Sequence, residues 1–308
     1  MAENQENNQV LQDLLDQVGK HMEPTAFPKI TEGQVAVISK KIATFAQMLI
    51  KQECGDRGAH LSRVLTVDEL SPEHLVTVCT MASWLASRSI DDANTAIAVL
   101  AEHGFEIRAF ESTTFVPHDP RLEEAPNTWL FDQVQNKTMP RSVIATENMV
   151  MICEVRPKPD VVSDECWIQT AYKNDPFGKE LVALHEQLDG YKPEKRIDPR
   201  SRAGFTFHEL EQHILPVLSQ KIGVQLECMP AIHACVLAND HPEISAGRST
   251  EWRGDTIGKS HAVISGRSDR GPIRYVYYDV KNDPYPNRGF RLCVRLGSES
   301  SPNASPLS

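Results

Sequence analysis

The chain has 308 residues, of which 40% are hydrophobic and 24% are charged, with a formal net charge of -10. This composition is typical of a globular protein, and the length is enough for one large domain or two smaller ones. No stretch approaches 18 consecutive apolar residues, and residues 1–30 lack the basic and apolar regions of a Sec-type signal peptide, so we expect neither a membrane span nor a Sec signal.

Charge is distributed unevenly along the chain. Residues 191–308 hold 16 Lys and Arg against 13 Asp and Glu, so the acidic excess lies in residues 1–190. An extended nucleic-acid interface needs clustered Lys and Arg to displace counterions from phosphate, so we expect no nucleic-acid partner. The C-terminal arginines are interpreted as a solvated sheet edge, with an acidic partner surface as the alternative: Arg248, Arg253, Arg267, Arg270, Arg274, Arg288, Arg291 and Arg295.

The cysteines do not form a recognisable framework. Their number is odd, their spacing is irregular and no CxxC pair is present, which argues against both a disulfide scaffold and a structural zinc site. We therefore expect no metal and mostly reduced, buried thiols: Cys54, Cys79, Cys153, Cys166, Cys228, Cys235 and Cys293.

The first part of the chain is predicted to be mostly helical. Residues 1–30 are interpreted as a mobile arm, and 31–48 as a helix that begins with a capping box. Ser71 followed by Pro72 is typical of a helix start, and that helix ends near Ser87. A further helix is predicted for 91–103, because Gly104 is a good C-terminal stop.

Strand patterns begin after Gly104. Alternating apolar and charged residues predict a strand near 105–109, and 142–155 is apolar enough for one strand or a hairpin. A helix is expected from Asp164, and a capping box at Thr206 predicts a helix to about residue 222, bent at Pro216. The remaining strands are predicted at 224–228, 232–237, 260–265, 273–280 and 290–296, before a disordered tail at 298–308.

Three separated residues could form a catalytic group. Cys166 is expected near the start of the helix predicted from Asp164, where free backbone N–H groups favour a thiolate. His261 lies in one predicted strand and Asp279 near the end of the next, and the two strands are expected to form an antiparallel hairpin. Asp279 would then hold the imidazole in one tautomer while its other nitrogen faces the sulfur.

This order of residues resembles the papain-like thiol hydrolases, and most closely the compact cysteine proteases and deamidases that pathogenic bacteria inject into host cells. The quoted segments are Cys166-Trp167 and "SHAVISG…YVYYDVKNDP". The resemblance implies an α+β fold with the Cys helix packed on an antiparallel sheet. It also implies Cys166 as nucleophile, His261 as general base and Asp279 as orienting group.

The resemblance covers only residues 160–296, where it also implies an oxyanion site; the other domains are predicted from sequence patterns. The backbone N–H of Cys166 would act there with a second group, for which Trp167 and Gln169 are the candidates. The domain prediction is an arm at 1–30, a helical region with a few strands at 31–155, a papain-like domain at 160–297 and a tail at 298–308. The expected location is the bacterial cytoplasm before delivery into a host cell, with a secretion chaperone as an additional partner.

The predicted function is a cysteine-dependent amide hydrolase, either a protease or a glutamine deamidase, that acts on a protein substrate without a cofactor. A transglutaminase-like acyltransferase uses the same triad and stays an alternative. A non-catalytic protein-binding effector or adaptor is the alternative from another class.

Other groups are interpreted as structural. His208 and His213 are five residues apart, which does not place two metal ligands on one face of an α-helix. His233, with Cys228, Cys235 and His241 nearby, is assigned to a buried strand. The segment 247–251 is interpreted as a loop.

Overall fold

A computed structural model describes residues 61–122, 126, 128–159, 161–162, 168–188, 198–244, 249–267 and 274–297. All of them belong to one compact unit, Glu53–Ser308. The predicted arm 1–30, the predicted helix 31–48 and the tail 298–308 lie outside the described residues.

The described residues alternate between helices and strands. The α-helices are α1 (Pro72–Ala86), α2 (Ala93–Glu102), α3 (Trp129–Gln135), α4 (Gly178–Gln187), α5 (Phe207–Glu209), α6 (Leu215–Ile222) and α7 (Ala231–Leu237), and a π-helical turn, Leu210–Ile214, joins α5 to α6. The strands are β1 (Ser62–Val64), β2 (Phe105–Phe110), β3 (Thr113–Thr114), β4 (Ala145–Thr146), β5 (Met149–Glu154), β6 (Val161–Val162), β7 (Ile168–Gln169), β8 (Glu227–Cys228), β9 (Thr250–Ile257), β10 (His261–Arg267), β11 (Arg274–Val280), β12 (Arg288–Phe290) and β13 (Leu292–Leu296).

Two larger sheets organise the fold. The first has five strands in the order β1-β2-β5-β13-β8, and every neighbouring pair is antiparallel. The second has four strands in the order β11-β10-β9-β12, in which β12 runs parallel to β9. Only Arg291 separates β12 from β13, so the chain passes there from one sheet directly into the other.

The five-stranded sheet lies between two hydrophobic cores. Ile152 of β5 packs into one core, whereas Met151 and Cys153 pack into the other. This follows from the two-residue period of a strand, which turns successive side chains to opposite faces. The apolar residues of α1, α2 and α6 contribute to the first core, and α3 and α7 contribute to the second.

Local capping signals correctly predict several helices. The Ser71 side chain accepts a hydrogen bond from the His74 backbone N–H, and Pro72 is the first residue of α1. Thr206 and Glu209 form the predicted capping box, at the start of α5. The predicted antiparallel hairpin of β10 and β11 is also confirmed.

The predicted boundary between residues 31–155 and 160–297 runs through the five-stranded sheet. β5, from the first region, pairs with β13 from the second, in a register that places Cys153 opposite Cys293. β2 pairs with one edge of β5, and β13, from the far end of the chain, pairs with the other. The two regions therefore share one sheet within a mixed fold of helices and antiparallel strands.

Three secondary-structure predictions need correction. The segment 232–237 was expected to be a strand but belongs to helix α7, whose seven residues are all buried and so lack a diagnostic period. The helix expected from Asp164 is wrong at Ile168–Gln169, which form β7; the next helix is α4. The loop interpretation of 247–251 is wrong at Thr250 and Glu251, which begin β9 (Thr250–Ile257).

Candidate functional site

His261 is the first residue of β10 and is half-buried. Its Nδ1 lies 2.9 Å from the Ser260 hydroxyl oxygen, and its ring meets the ring of Tyr278 edge to face, with centroids 5.0 Å apart. The imidazole therefore has a polar neighbour on one side, an aromatic neighbour on the other, and some access to solvent.

Asp279 does not orient His261. In the β10–β11 register, His261 is opposite Val280, and Asp279 is opposite Ala262. Strand alternation then places His261 and Asp279 on opposite faces of the sheet. The Asp279 carboxylate instead accepts hydrogen bonds from Arg288 Nη2 at 2.6 Å and from the Val280 backbone N–H at 2.7 Å.

The packing on either side of β10 agrees with this assignment. Ala262, across from Asp279, lies in the first hydrophobic core, whereas Val263, on the same face as His261, lies in the second. The orienting contact expected between Asp279 and His261 is thus replaced by an Asp279–Arg288 ion pair.

Cys166 and Trp167 lie outside the described residues. Gln169 is described and is only 1% exposed; its Nε2 donates to the Ser249 hydroxyl at 3.1 Å. Ser249 directly precedes β9, whereas His261 pairs with Ile257 at the opposite end of that strand. At ~3.3 Å per strand residue, the two ends are roughly 25 Å apart, so Gln169 and His261 are not brought together.

Four rings form a contiguous group on β10, β11 and α3, which we call the aromatic patch: Trp129, Tyr277, Tyr278 and His261. The Tyr277 and Tyr278 rings are stacked with centroids 4.7 Å apart. The ring centroid of Trp129 lies 5.3 Å from that of Tyr277 and 5.4 Å from that of Tyr278. Tyr277 is 37% exposed, so the patch reaches the surface.

The aromatic patch lies at the outer edge of the four-stranded sheet. Among the described strands, β11 pairs only with β10. Consecutive side chains of a strand normally point to opposite faces, yet the rings of Tyr277 and Tyr278 stack on each other. The sequence shows part of this patch as three tyrosines in the segment 275–278, whose pattern by itself predicts only a strand.

The buried guanidinium of Arg288 contacts two aromatic rings that do not belong to the aromatic patch. Its guanidinium carbon lies 4.4 Å from the Trp252 ring centroid and 4.1 Å from that of Tyr285. Nη2 bonds Asp279, but Nε and Nη1 are buried and have no hydrogen-bond partner. Burial lowers the pKa of Arg288, against the opposing effect of Asp279.

The interpretation of the C-terminal arginines as a solvated edge is wrong for Arg253, Arg288 and Arg291, which are all nearly inaccessible. Arg291 donates to both oxygens of Glu251, at 3.1 and 3.3 Å, and to two backbone carbonyls on the neighbouring segment. Burial alone raises the pKa of Glu251, but Arg291 and Arg253 outweigh it and lower that pKa to about 2. These arginines therefore form ion pairs inside the protein and not at its surface.

A cluster of charged side chains joins β2 to the segment after α7. His241 Nε2 is 3.1 Å from Glu106, and its Nδ1 is 3.3 Å from Glu243. Arg108 approaches the same imidazole at 3.2 Å and forms an ion pair with Glu106 at 2.8 Å. The hydrogen bond that the imidazole donates to the Glu106 carboxylate raises the pKa of His241.

His233 belongs to α7, not to a strand, so it does not share a strand face with Cys235. Both of its ring nitrogens are buried without a hydrogen-bond partner, and its ring meets that of Phe110 edge to face. Burial lowers the pKa of His233 to about 3, so the imidazole is neutral.

The described cysteines form no disulfide bond with one another: Cys79, Cys153, Cys228, Cys235 and Cys293. Cys79 is half-buried and the other four are buried. Burial raises the pKa of Cys79 and raises that of Cys153 to about 12. A buried thiol with a raised pKa is a poor nucleophile, so Cys79 and Cys153 are poorly suited to covalent catalysis.

Within the described ranges, no three or more His, Cys, Asp or Glu side chains are arranged to hold a metal ion. No helix of this part of the chain is both long and apolar enough to cross a membrane. Comparison with protein-family models, with curated proteins and with solved structures found no match for this chain.

Proposed function

We propose that this chain is a protein-binding module and that its partner contacts the aromatic patch. The observation that carries this proposal is the contiguous group of Trp129, Tyr277, Tyr278 and His261 at the surface of an edge strand. Trp and Tyr are enriched in the buried centres of protein interfaces, because they bury a large area and carry a polar group.

The surroundings of the aromatic patch fit an interface. Val280 and Tyr285 are each 38% exposed and extend the apolar surface along β11 and the segment after it. Asp279, whose side chain is 24% exposed, supplies a charged group next to Val280, while its ion-pair partner Arg288 is buried. An apolar centre with polar groups at its border is the usual arrangement of a protein interface.

Site-specific photo-cross-linking tests this proposal with the full-length chain. A benzophenone amino acid replaces Tyr277 in one variant and Val217, an exposed residue of α6, in the control. We expect a discrete adduct with a partner protein from the source cell at position 277 alone, and its loss when Trp129→Ala is added. The same adducts at both positions, or none at 277, would contradict the proposal.

A thiol hydrolase of papain-like fold is a second proposal, in which Cys166 attacks an amide and His261 accepts its proton. It is favoured by the half-buried His261 on a strand whose hairpin partner is β11, the arrangement that the family resemblance implies. His261 then gives that proton to the leaving amine or ammonia as the C–N bond breaks, and the acyl group passes from Cys166 to water in a protease or deamidase, or to an amine in a transglutaminase. Asp279 takes no part, because it bonds Arg288. Delivery into a host cell belongs to the same proposal.

Iodoacetamide labelling at neutral pH separates the two proposals. The described thiols are buried or half-buried, so a fast reaction at Cys166 would stand out against them. If the hydrolase proposal is right, Cys166 is modified much faster than Cys79, and His261→Ala slows that reaction at least ten-fold. A Cys166 rate equal to that of Cys79, or unaffected by His261→Ala, rejects the hydrolase and leaves the binding module.

A further inference from the structure

A cavity of about 730 Å³ lies between α6 and β8, and no residue of the aromatic patch lines it. A space of this size can hold a small organic molecule. Leu215 and Pro216 provide accessible apolar surface, while Glu211 and Glu227 contribute carboxylates. The cavity is therefore separate from the surface to which we assign partner binding.

A π-helical turn forms one wall of the cavity. The turn, Leu210–Ile214, contains Glu211 and is followed by Pro216, whose ring nitrogen cannot donate to the preceding turn. Leu210 and Ile214 anchor the turn in the first core, and Glu211 stays exposed on the cavity side. Single π-helical turns within helices are frequent at functional sites, which adds weight to this cavity.

Both carboxylates that line the cavity form ion pairs, and Glu211 has the longer and weaker one. Arg295 Nε pairs with Glu227 at 2.8 Å. Glu211 has a longer contact, 3.5 Å, with the Lys281 ammonium, which also lies 5.1 Å from the centroid of the Phe207 ring. A carboxylate beside an aromatic ring is a favourable site for an ammonium group, and here the chain already attracts one.

We propose that this cavity binds an organic cation: a primary ammonium group that takes the place of Lys281 at Glu211 and carries an apolar body that packs against Leu215 and Pro216. The carboxylate supplies the charge complement, and the apolar wall supplies burial for the remainder of the ligand. A neutral molecule of the same shape would gain only the second contribution.

Isothermal titration of the full-length chain with benzylamine tests the charge requirement, with benzyl alcohol as the neutral match. We expect saturable binding of benzylamine with a Kd at least ten-fold lower than that of benzyl alcohol. Glu211→Gln should raise the benzylamine Kd ten-fold or more. The control Glu186→Gln, an exposed carboxylate of α4, should leave it unchanged.

A steric variant locates the site independently. Gln220 is exposed and lines the cavity, so Gln220→Trp should fill it and abolish benzylamine binding without altering the circular dichroism spectrum. The proposal is overturned if benzylamine shows no saturable binding or binds no better than benzyl alcohol. Binding that survives either Glu211→Gln or Gln220→Trp overturns it as well, because the amine would then sit elsewhere.

Discussion

Arg291 and Glu251 form a fully buried, two-point ion pair where the chain passes from the four-stranded sheet to the five-stranded sheet. The same guanidinium donates to the backbone oxygens of Glu154 and Arg156, so all parts of it have acceptors. The pair thus links β9, β12, β13 and the end of β5 around a single side chain.

Removal of the Arg291 side chain should therefore lower the free energy of unfolding. Arg291→Met leaves the Glu251 carboxylate in the interior without its main partner, and breaking a buried pair on one side typically costs about 3–5 kcal/mol. Urea denaturation followed by circular dichroism measures the loss. Arg200→Met, which removes an exposed pair with Asp198, is the control and should leave the midpoint nearly unchanged. Equal shifts in both variants would show that the interior pair has no special role.

Sequence patterns identified elements whose determinants are local. Ser71 and Pro72 indicate the start of α1 whatever the rest of the fold does, and the β10–β11 hairpin follows from strands adjacent in the chain. The partners of Arg291 are different, because they lie 40 and 137 residues away in the sequence. No local pattern distinguishes such an arginine from one on the surface.

The candidate site was only partly predictable for the same reason. The pairing of β10 with β11 was foreseen, but its register decides which faces His261 and Asp279 occupy. A difference of one residue moves a side chain to the other face, and the sequence does not specify that register. The aromatic patch also needs Trp129, which α3 brings from a distant part of the chain.

Gly254 allows close packing between β9 and β8. A Cβ atom at this position would lie 2.6 Å from the Cys228 carbonyl oxygen, so Gly254→Ala forces the backbone to move. We expect a destabilisation of about 1–3 kcal/mol, as is typical of overpacking. Gly178→Ala is the control, because its nearest contact would be an ordinary 3.8 Å. Thermal unfolding of both variants measures the difference, and a stable Gly254→Ala would contradict the expected clash.

The group around His241 should make stability depend on pH near neutrality. Its pKa is raised from 6.5 by Glu106 and further by Glu243, although burial and Arg108 oppose the shift. A raised pKa means that the folded state binds the proton more tightly, so the stabilisation is complete below about 6.5 and is lost as pH rises through the folded pKa.

His241→Gln should remove this dependence. Urea midpoints measured from pH 6 to 9 should fall for the unmodified chain and change less for the variant. His103→Gln, at the end of α2, serves as the control and should keep the slope of the unmodified chain. Identical slopes for His241→Gln and the unmodified chain would show that the contacts with Glu106 and Glu243 do not favour the charged imidazole.

His233 should make the folding stability depend on pH with the opposite sign to His241. Its pKa is lowered to about 3 by burial, so the unfolded chain binds a proton at a higher pH than the folded one. The folding stability attributable to this residue is therefore complete above a pH of about 6.5 and declines as pH falls toward 3.

Because neither ring nitrogen has a partner, His233→Leu removes two unsatisfied polar atoms from the second core. We expect the variant to have a melting temperature at pH 7 equal to or above that of the unmodified chain. Between pH 7 and pH 4.5, its melting temperature should fall less than that of the unmodified chain. A large loss of stability at pH 7 would instead mean that the imidazole makes an interaction that the leucine cannot replace.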